Sequence, residues 1–461
     1  MSVPSASAQS RQQLKTDSVF QLVKKAFNAR QTATIYAMAG DNFHKNIDAD
    51  KFRNIAEQNL YTLGDMKETS LISFVNNKVA TYKVNFSTNL TFQLLISLDD
   101  NEKLDLFLFQ PYKNVAMAKT QTAATSNLLA SVLDKEIDTV ARSYIQKSNT
   151  VGLSIGIFKN GKIYTYNYGE ITQGLGQLPT ENSLFEIGSI TKTFTATLLA
   201  YYVNEGKVKL SDPITKYLPD SVAANPELGE ITLLELVNHT SGLAIQPDNL
   251  DLTTDPQNPY KKYDRQMLFS YLKKCKLKSI PGEKYTYSNT GVGLLGVILE
   301  NVSQRTYAHM VAEYITGPLA MSSTVQKMTP ELEMRFVTLY NDEGQQTSRW
   351  DFDALAGAGS LRSTVSDLLI YAEANMEGGT AKLAKAMELT HQVTYSKDAK
   401  LGMAWHIILV NGVEYYFHNG GTYGSSSFLA FNKQKNLAVV VLSNSGQSTD
   451  NVGVEILKKL Q

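Results

Sequence analysis

Hydrophobic and polar positions follow two different periods in the first quarter of this chain. Between about residues 16 and 62 apolar side chains recur every three or four positions, with Phe20, Val23 and Phe27 on one face, which predicts helices. The later pattern alternates with a period of two and predicts four strands, at Ser70–Val75, Val79–Phe86, Thr91–Leu98 and Leu104–Phe109. Helices followed by a strand meander indicate a small α+β domain over residues 16–112.

A second domain, over residues 127–461, is predicted to follow a small, polar linker at residues 113–126. After a helix at about 127–147, Asn160-Gly161 separates two β-patterned runs and predicts a hairpin. The signals from there to about residue 389 are mainly helical. The predicted strands of this domain are Val151–Phe158, Lys162–Tyr168, Met403–Val410, Val413–Phe417, Ser427–Asn432 and Ala438–Leu442. We therefore predict one antiparallel sheet built from both ends of the domain, with a helical insertion packed against it and a helix at about 449–460.

Composition excludes several classes of protein. With 43% hydrophobic and 19% charged residues the chain is globular, and a formal net charge of +0 gives no electrostatic footprint for nucleic acid. No apolar stretch approaches the roughly 20 residues that span a bilayer. One cysteine excludes an intramolecular disulfide, and the six histidines form no metal-binding motif, so we expect neither a metal nor a cofactor. Nothing in the sequence indicates an oligomeric state.

The first residues bear on localisation. Ala6-Ser7-Ala8 fits the small-residue pattern of a signal cleavage site, although no apolar segment precedes it. We expect residues 1–15 to be a disordered terminus or the remnant of a removed signal. The second interpretation predicts a periplasmic or secreted protein.

The strongest candidate chemistry lies at Gly188-Ser189-Ile190-Thr191-Lys192, where polar residues lead into the apolar run Ala196–Val203. This pattern predicts Ser189 at a helix N-terminus, where free N–H groups and the helix dipole suit an oxyanion. Lys192, three residues on, shares its face. A desolvated lysine has a lowered pKa and can act as a base toward a serine nucleophile.

Two similar motifs are interpreted as structural. Ser270-Tyr271-Leu272-Lys273 repeats the S-x-x-K spacing, but it lies within an amphipathic helical run with no glycine before the serine. Gly291, Gly293 and Gly296 fit G-x-G-x-x-G, with Glu313 as the acidic residue, yet no buried strand precedes them. We interpret these glycines as positions of close helix packing.

A second candidate segment contains Tyr287 and Asn289, two residues apart in an irregular stretch. A phenol held between cations titrates below its usual pKa of about 10 and can relay a proton. Asn289 is expected to hydrogen-bond both Lys192 and a substrate amide.

The third candidate segment is His418-Asn419-Gly420-Gly421, expected just after the strand that ends at Phe417. Paired glycines allow a substrate backbone to approach closely. The N–H of Gly421 could join that of Ser189 in an oxyanion hole.

In this order the three segments resemble the motifs of the serine β-lactamase and penicillin-binding-protein superfamily. The tyrosine resembles that of the class C β-lactamase, D-alanyl-D-alanine carboxypeptidase and esterase branch. Leu234–Leu243 and Gly359–Asp367 are also similar to family segments, and the resemblance covers about residues 130–461. The preceding domain resembles the small domains, cystatin-like or NTF2-like in shape, that often precede serine hydrolases in secreted bacterial proteins.

The resemblance implies a bacterial serine hydrolase of β-lactamase/transpeptidase-like fold. Ser189 would be acylated, and Lys192 and Tyr287 would share acid and base duty in an order that the sequence leaves open. Expected substrates are small esters, amides or D-amino-acid peptides derived from peptidoglycan, with weak β-lactamase activity. The alternative is a non-catalytic protein that binds or senses penicillin or peptidoglycan.

One residue departs from the family pattern. Relatives usually have lysine at the first position of the third motif, and this chain has His418. With an unperturbed pKa near 6.5, this histidine would favour carboxylate-bearing substrates as the pH falls toward 6. The rim of the site, and thus its specificity, is expected to come from residues 244–264 and 340–358.

Overall fold

The computed structural model describes residues 11–75, 78–88, 90–112, 119, 121–251, 255 and 257–460. Two features predicted above lie outside these ranges: Ala6-Ser7-Ala8 and most of residues 113–120. The chain divides near residue 115 into two compact units.

The first unit is an α+β arrangement, as predicted. Its helices are α1 (Arg11–Asn28), α2 (Thr32–Ala37), α3 (Asp41–Asn46) and α4 (Ala49–Ile55). Its antiparallel sheet has the order β1 (Met66–Val75), β2 (Val79–Phe86), β3 (Thr91–Leu98) and β4 (Leu104–Pro111). Helix α1 buries its apolar face on the sheet, and Phe20 stacks on Tyr82 with ring centroids 3.8 Å apart. The likeness to cystatin or NTF2 stays a prediction.

The second unit contains the predicted antiparallel sheet. Its strands are β5 (Gly152–Lys159), β6 (Lys162–Gly169), β11 (His406–Val410), β12 (Val413–Gly421), β13 (Ser426–Asn432) and β14 (Leu437–Ser443). They lie in the order β11-β12-β13-β14-β5-β6, so the two early strands extend a sheet made by the four late ones. Two short pairs complete the strands: β7 (Phe185–Glu186) with β10 (Arg362–Ser363), and β8 (Leu339–Tyr340) with β9 (Gln346–Thr347).

Helices cover both faces of this sheet. Helices α5 and α16 pack on one face and α14 on the other. The helices of this unit are α5 (Val132–Ile145), α6 (Thr191–Asn204), α7 (Asp220–Ala223), α8 (Leu233–Val237), α9 (Arg265–Leu272), α10 (Asn289–Ser303), α11 (Tyr307–Val311), α12 (Pro330–Glu333), α13 (Ala356–Gly359), α14 (Val365–Glu377), α15 (Ala381–Thr390) and α16 (Asp450–Lys459). Along β13, Phe428 and Ala430 face the core formed with α5 and α16, while Leu429 and Phe431 face the core shared with α6 and α14. Because both faces are buried, the sequences of β13 and β14 are largely apolar and do not alternate with polar residues.

Several predicted boundaries differ from the structure, among them those of the linker and of the strand before His418. The last part of the predicted linker runs along β6, where Ser126 N donates to Asn167 O at 3.0 Å and Gly169 N donates to Ala124 O at 2.9 Å. Strand β12 does not end at Phe417 but continues to Gly421, because its pairing with β13 extends to Ser426. His418 is therefore a strand residue.

The glycines of α10 allow close packing of α13, as interpreted from the sequence. A Cβ on Gly293 would lie 2.4 Å from Leu355 Cδ2, and one on Gly296 would lie 3.2 Å from the Cα of Gly357. The segment before α10 forms no strand, so the chain has no dinucleotide-binding β-α unit at this point.

Candidate active site

Ser189 lies in a tight turn between β7 and α6. A 3-10 turn spans Gly188–Ile190, and α6 begins at Thr191, so Ser189 stands at the start of the helix as predicted. Gly188 has φ of +46°, and a Cβ there would lie 2.7 Å from the backbone nitrogen of Gly421. Both facts require glycine, and the resulting turn leaves Ser189 half-buried at the surface of the site.

Lys192 is fully buried directly beneath the serine. Its Nζ lies 2.8 Å from Ser189 Oγ and 2.6 Å from the carbonyl oxygen of Ala358 on α13. Burial lowers the pKa of Lys192 well below its usual value of 10.5. The neutral amine is therefore favoured, as the sequence predicted for a desolvated lysine.

Tyr287 reaches the same oxygen from another side. Its hydroxyl donates to Ser189 Oγ at 2.6 Å, and Lys192 Nζ lies 4.8 Å from the centroid of its ring. The predicted lowering of its pKa is wrong, because burial raises the pKa of Tyr287 above 10. Burial also lowers the pKa of Lys192, His239 and His418, which favours their uncharged forms. A phenolate at Tyr287 would therefore gain little stabilisation from a neighbouring cation.

Two side chains converge on Ser189 Oγ. Lys192 Nζ donates to Ala358 O and lies within hydrogen-bond distance of Ser189 Oγ, and the neutral form of this amine has a lone pair that can take the Ser189 proton. Ser189 Oγ accepts in turn from the Tyr287 hydroxyl. Ser189 Oγ thus lies between an amine that can accept a proton and a phenol that donates one.

The glycines of the third segment have different surroundings. A Cβ on Gly420 would lie 2.1 Å from the carbonyl oxygen of Ile187 and 2.8 Å from the backbone nitrogen of Ser189. A Cβ on Gly421 would have Ser425 O, 3.8 Å away, as its nearest neighbour. Gly420 therefore makes room for the chain's own serine turn, and Gly421 has the open side where a substrate backbone could approach.

Replacing Gly420 with alanine is expected to destabilise the protein by about 1–3 kcal/mol, because β12 must move away from the Ser189 turn. Gly421→Ala is the matched control and is expected to change the free energy of unfolding by under about 0.5 kcal/mol. Denaturant unfolding of both variants checks this. Equal stabilities would contradict the close approach.

The side chain of His418 is buried and is not exposed to a substrate. Its side chain has 0% exposure, and its Nδ1 lies 2.6 Å from the carbonyl oxygen of Asn419. Burial lowers the pKa of His418 well below 6.5, with His406 and Lys192 adding to the effect. The predicted gain in activity on carboxylates near pH 6 loses its basis, since burial shifts the imidazole toward its neutral form.

Asn289 begins α10, where its backbone N–H donates to Ile245 O at 2.9 Å. Among the described residues, Lys192 Nζ bonds to Ser189 and Ala358, and the predicted hydrogen bond from Lys192 to Asn289 is not formed. The proposed contact of Asn289 with a substrate amide stays a prediction.

The sequence interpretation missed two further histidines, one beside Tyr287 and one beside His418. The ring of His239 is 4.5 Å from that of Tyr287, centroid to centroid, and His406 is 5.4 Å from His418. His239 belongs to the family-like segment Leu234–Leu243, so its position carried a signal. Within the described ranges no group of three or more histidine, cysteine, aspartate or glutamate side chains is arranged to hold a metal ion.

An aromatic cluster forms part of the predicted rim. Phe352 stacks on Tyr260 with centroids 4.5 Å apart, and Trp350 packs edge-on against Tyr260 and Tyr423. Phe352 also lies against Gly359, next to the carbonyl that Lys192 binds. Tyr260, Trp350 and Phe352 lie within the segments predicted to form the rim, whereas Tyr423 lies outside them.

A buried ion pair ties this rim to the serine turn. The backbone N–H of Trp350 donates to Glu186 Oε1 at 2.6 Å, and Arg362 Nη2 lies 3.6 Å from the same oxygen. Arg362 also contacts Asp351 at 3.0 Å. Burial raises the pKa of Glu186 to about 7. Glu186 precedes Ser189 by three residues, and no sequence pattern distinguished it.

An antiparallel sheet with a helical region, and a serine bonded to a lysine and a tyrosine at the start of a helix, define a protein of β-lactamase/transpeptidase-like fold. The chain belongs to the Beta-lactamase family, whose model matches residues 137–460. This confirms the superfamily and the fold predicted from the sequence.

Individual relatives agree with this assignment. A β-lactamase of Pseudomonas fluorescens is 30% identical over 352 residues, which cover 68% of this chain and 94% of the relative. The solved structure of a β-lactamase/D-alanine carboxypeptidase from Pseudomonas syringae is 26% identical, with a TM-score of 0.63 over 72% of this chain and 98% of the other. A solved class C β-lactamase is 27% identical, with a TM-score of 0.64 over 73% of this chain and 98% of its own.

Proposed function

We propose that this chain is a serine hydrolase that forms an acyl-enzyme on Ser189. The observation that carries the proposal is the position of Ser189 Oγ, 2.8 Å from Lys192 Nζ and 2.6 Å from the Tyr287 hydroxyl. Membership of the Beta-lactamase family supports it, and a protein that only binds its ligand has no need of a nucleophile with two proton-transfer partners.

The proposed reaction begins with transfer of the Ser189 proton to Lys192 while Oγ bonds to the substrate carbonyl carbon. The N–H groups of Ser189 and Gly421 stabilise the resulting oxyanion. As the intermediate collapses, the bond to the leaving group breaks and that group takes the proton of Tyr287. The ammonium of Lys192 then supplies the proton that Tyr287 has lost. Water releases the acyl group by the reverse sequence.

The proposed substrates are small esters, amides or D-amino-acid peptides related to the cell wall, with weak β-lactamase activity. The names of relatives support this range, since they include β-lactamases and a β-lactamase/D-alanine carboxypeptidase. A periplasmic or secreted location is part of the proposal and is supported by the similarity to bacterial β-lactamases and D-alanine carboxypeptidases. Within the described residues, no helix is both long and apolar enough to cross a membrane.

The proposal is tested by labelling the protein with a fluorescent penicillin and with a fluorophosphonate, followed by mass mapping of the adduct. An adduct on Ser189, together with hydrolysis of p-nitrophenyl esters, nitrocefin or D-alanyl peptides, supports it. Reversible binding of penicillin or peptidoglycan fragments without any adduct or hydrolysis would support the non-catalytic alternative.

The pH profile is expected to identify Lys192 as the first base. Since the amine must be deprotonated to act, kcat/KM should rise through one ionisation, well below 10.5, and then stay level to about pH 9. Tyr287 adds no fall in that range, because its pKa is raised and it acts as the neutral phenol.

Tyr287→Phe separates the two candidate bases. The variant is expected to lose about 10²–10⁴-fold in kcat/KM while keeping the rise at low pH. Disappearance of that rise in Tyr287→Phe would instead identify the tyrosine as the first base.

A further inference from the structure

Glu186 is a buried carboxylate that the proposed reaction does not use. It lies in β7, three residues before Ser189, and its side chain is 3% exposed. Its backbone is fixed on two sides, because it pairs with Arg362 across β7 and β10 and its carbonyl oxygen accepts from Ser425 Oγ at 2.7 Å. The strand that holds this carboxylate therefore leads directly into the turn that holds the nucleophile.

Glu186 and Arg362 together bind both backbone polar groups of Trp350. The N–H of Trp350 donates to Glu186 Oε1 at 2.6 Å, and its carbonyl oxygen accepts from Arg362 Nη2. The two charged groups are direct cross-strand neighbours, with Nη2 and Oε1 3.6 Å apart. Trp350 lies in an irregular segment outside the helices and strands. A buried ion pair thus fixes the backbone of this rim residue.

The charges around Glu186 act on it in opposite directions. Arg362 from β10 and the hydroxyl of Thr422 favour the carboxylate, whereas Asp351 from the rim segment opposes it. Burial is the largest effect and raises the pKa of Glu186 to about 7. A proton on this group would weaken its attraction for the guanidinium and its hydrogen bond from Trp350, because hydrogen bonds to charged groups are the stronger ones.

The aromatic rings that contact Trp350 border the reacting groups. Trp350 packs against Tyr260 and Tyr423, with ring centroids 5.0 and 4.9 Å away. Tyr423 is 41% exposed and follows Gly421 by two residues. Tyr260 is close enough to Tyr287 to raise its pKa. A displacement of the Trp350 backbone would therefore move rings beside Gly421 and beside Tyr287.

We propose that Glu186 is a positioning residue of this site: with Arg362 it fixes the backbone of Trp350, and through Trp350 it holds the aromatic rim where a large, aromatic acyl group packs. The inference rests on the proposed acyl-enzyme chemistry for its location. It deepens that proposal by naming a residue that sets the preferred acyl group without touching the reacting atoms.

The first test compares p-nitrophenyl acetate with p-nitrophenyl phenylacetate, which share a leaving group and differ in the size of the acyl group. Glu186→Gln keeps the shape of the side chain and removes its charge. It should lower kcat/KM for the phenylacetate by about tenfold, while the acetate, too small to reach the rim, loses less than about threefold. Equal losses for the two esters, or no loss, would contradict the proposal.

Glu333 provides a matched control. It forms an exposed ion pair with Arg349, the residue before Trp350. Because exposed pairs contribute little, Glu333→Gln should leave the rates of both esters unchanged. A selective loss with the phenylacetate in this variant would show that the rim responds to any change of charge nearby, which argues against a specific role of Glu186.

The pH dependence of the wild type gives a test that needs no variant. The ratio of kcat/KM for the phenylacetate to that for the acetate should rise about three- to tenfold from pH 6 to 8, because Glu186 gains its charge over that range. The ionisation of Lys192 affects both esters and cancels in the ratio. In Glu186→Gln the ratio should be constant. A constant ratio in the wild type, or a rise that persists in the variant, overturns the proposal. If the variant does not fold, the wild-type ratio decides.

Tryptophan fluorescence separates this inference from the proposed chemistry. The chain has two tryptophans and Trp405 is 0% exposed, so quenching by acrylamide reports mainly on Trp350. In Ser189→Ala, which requires no turnover, quenching should be stronger at pH 6 than at pH 8, and adding Glu186→Gln should abolish the difference. This result supports the positioning role even if labelling of Ser189 fails. Equal quenching at both pH values in Ser189→Ala overturns the inference and leaves the acyl-enzyme proposal intact.

Discussion

Ser189→Ala is expected to lose at least about 10⁴-fold in kcat/KM and all covalent labelling by penicillin and fluorophosphonate probes. The reason is that Ser189 Oγ is the atom on which both Lys192 and Tyr287 converge, so its removal leaves them without a nucleophile to activate. The expected effect on folding is small, since the side chain is half-buried and at the surface of the site. Steady-state kinetics and intact-protein mass spectrometry measure the two losses.

The chain supplies its own control in the second S-x-x-K sequence. Ser270 has the same spacing to Lys273, but it is exposed on α9. Ser270→Ala should retain full activity and labelling. Residual labelling of Ser189→Ala at a comparable rate would show that another residue is the nucleophile.

Lys192→Met is expected to lower kcat/KM by about 10²–10⁴-fold while preserving the fold. Methionine has nearly the length of lysine and no base, so the serine keeps its position and loses its proton acceptor. The variant also leaves the carbonyl of Ala358 without its donor, at a cost of about 1–3 kcal/mol, offset by removal of a buried amine. Stopped-flow acylation and thermal unfolding report the two effects separately.

Two companion variants sharpen this result. Lys273→Met changes the exposed lysine of the second sequence and should leave the kinetics unaltered. In Lys192→Ala, small primary amines added to the buffer should restore part of the acylation rate. The restored rate should depend on the concentration of the unprotonated amine, which is the form that can accept the Ser189 proton. Lys192→Met with kcat/KM within threefold of the wild type would exclude the lysine as the base.

The sequence carried enough information to predict the sheet and the Ser189 cluster. The alternation of apolar positions in Val79–Phe86 and Thr91–Leu98 gave both strands with their observed ends. Ser189, Lys192 and Tyr287 were predicted together because their chemistry depends on side chains, which the sequence displays directly. No local pattern relates Tyr287 to Ser189, because the two residues are far apart in the sequence. Only the resemblance to the family motifs predicted that they lie in one site.

The rest depended on backbone atoms and on burial. The partner of Lys192 on α13 is the backbone carbonyl of Ala358. Every residue has a backbone carbonyl, so the sequence cannot indicate which one binds the lysine. The pKa of Tyr287 was predicted in the wrong direction because the sequence cannot show that Tyr287 itself is buried, nor that burial lowers the pKa of the neighbouring His239. His418 was placed after its strand because the glycines that follow do not look like strand residues, although they pair with β13.

The packing of α13 on α10 matters for anyone who alters this enzyme by mutation. Ala358 sits one residue beyond Gly357, which approaches α10 at Gly296. A library restricted to side chains that line the cleft would leave Gly293 and Gly296 untouched. Yet a Cβ on Gly293 would lie 3.0 Å from the Cα of Leu355 and one on Gly296 would lie 3.2 Å from the Cα of Gly357, so a larger residue at either position is expected to shift α13. Because α13 carries the carbonyl that Lys192 binds, such a shift would alter the surroundings of the lysine without changing any residue that a ligand touches.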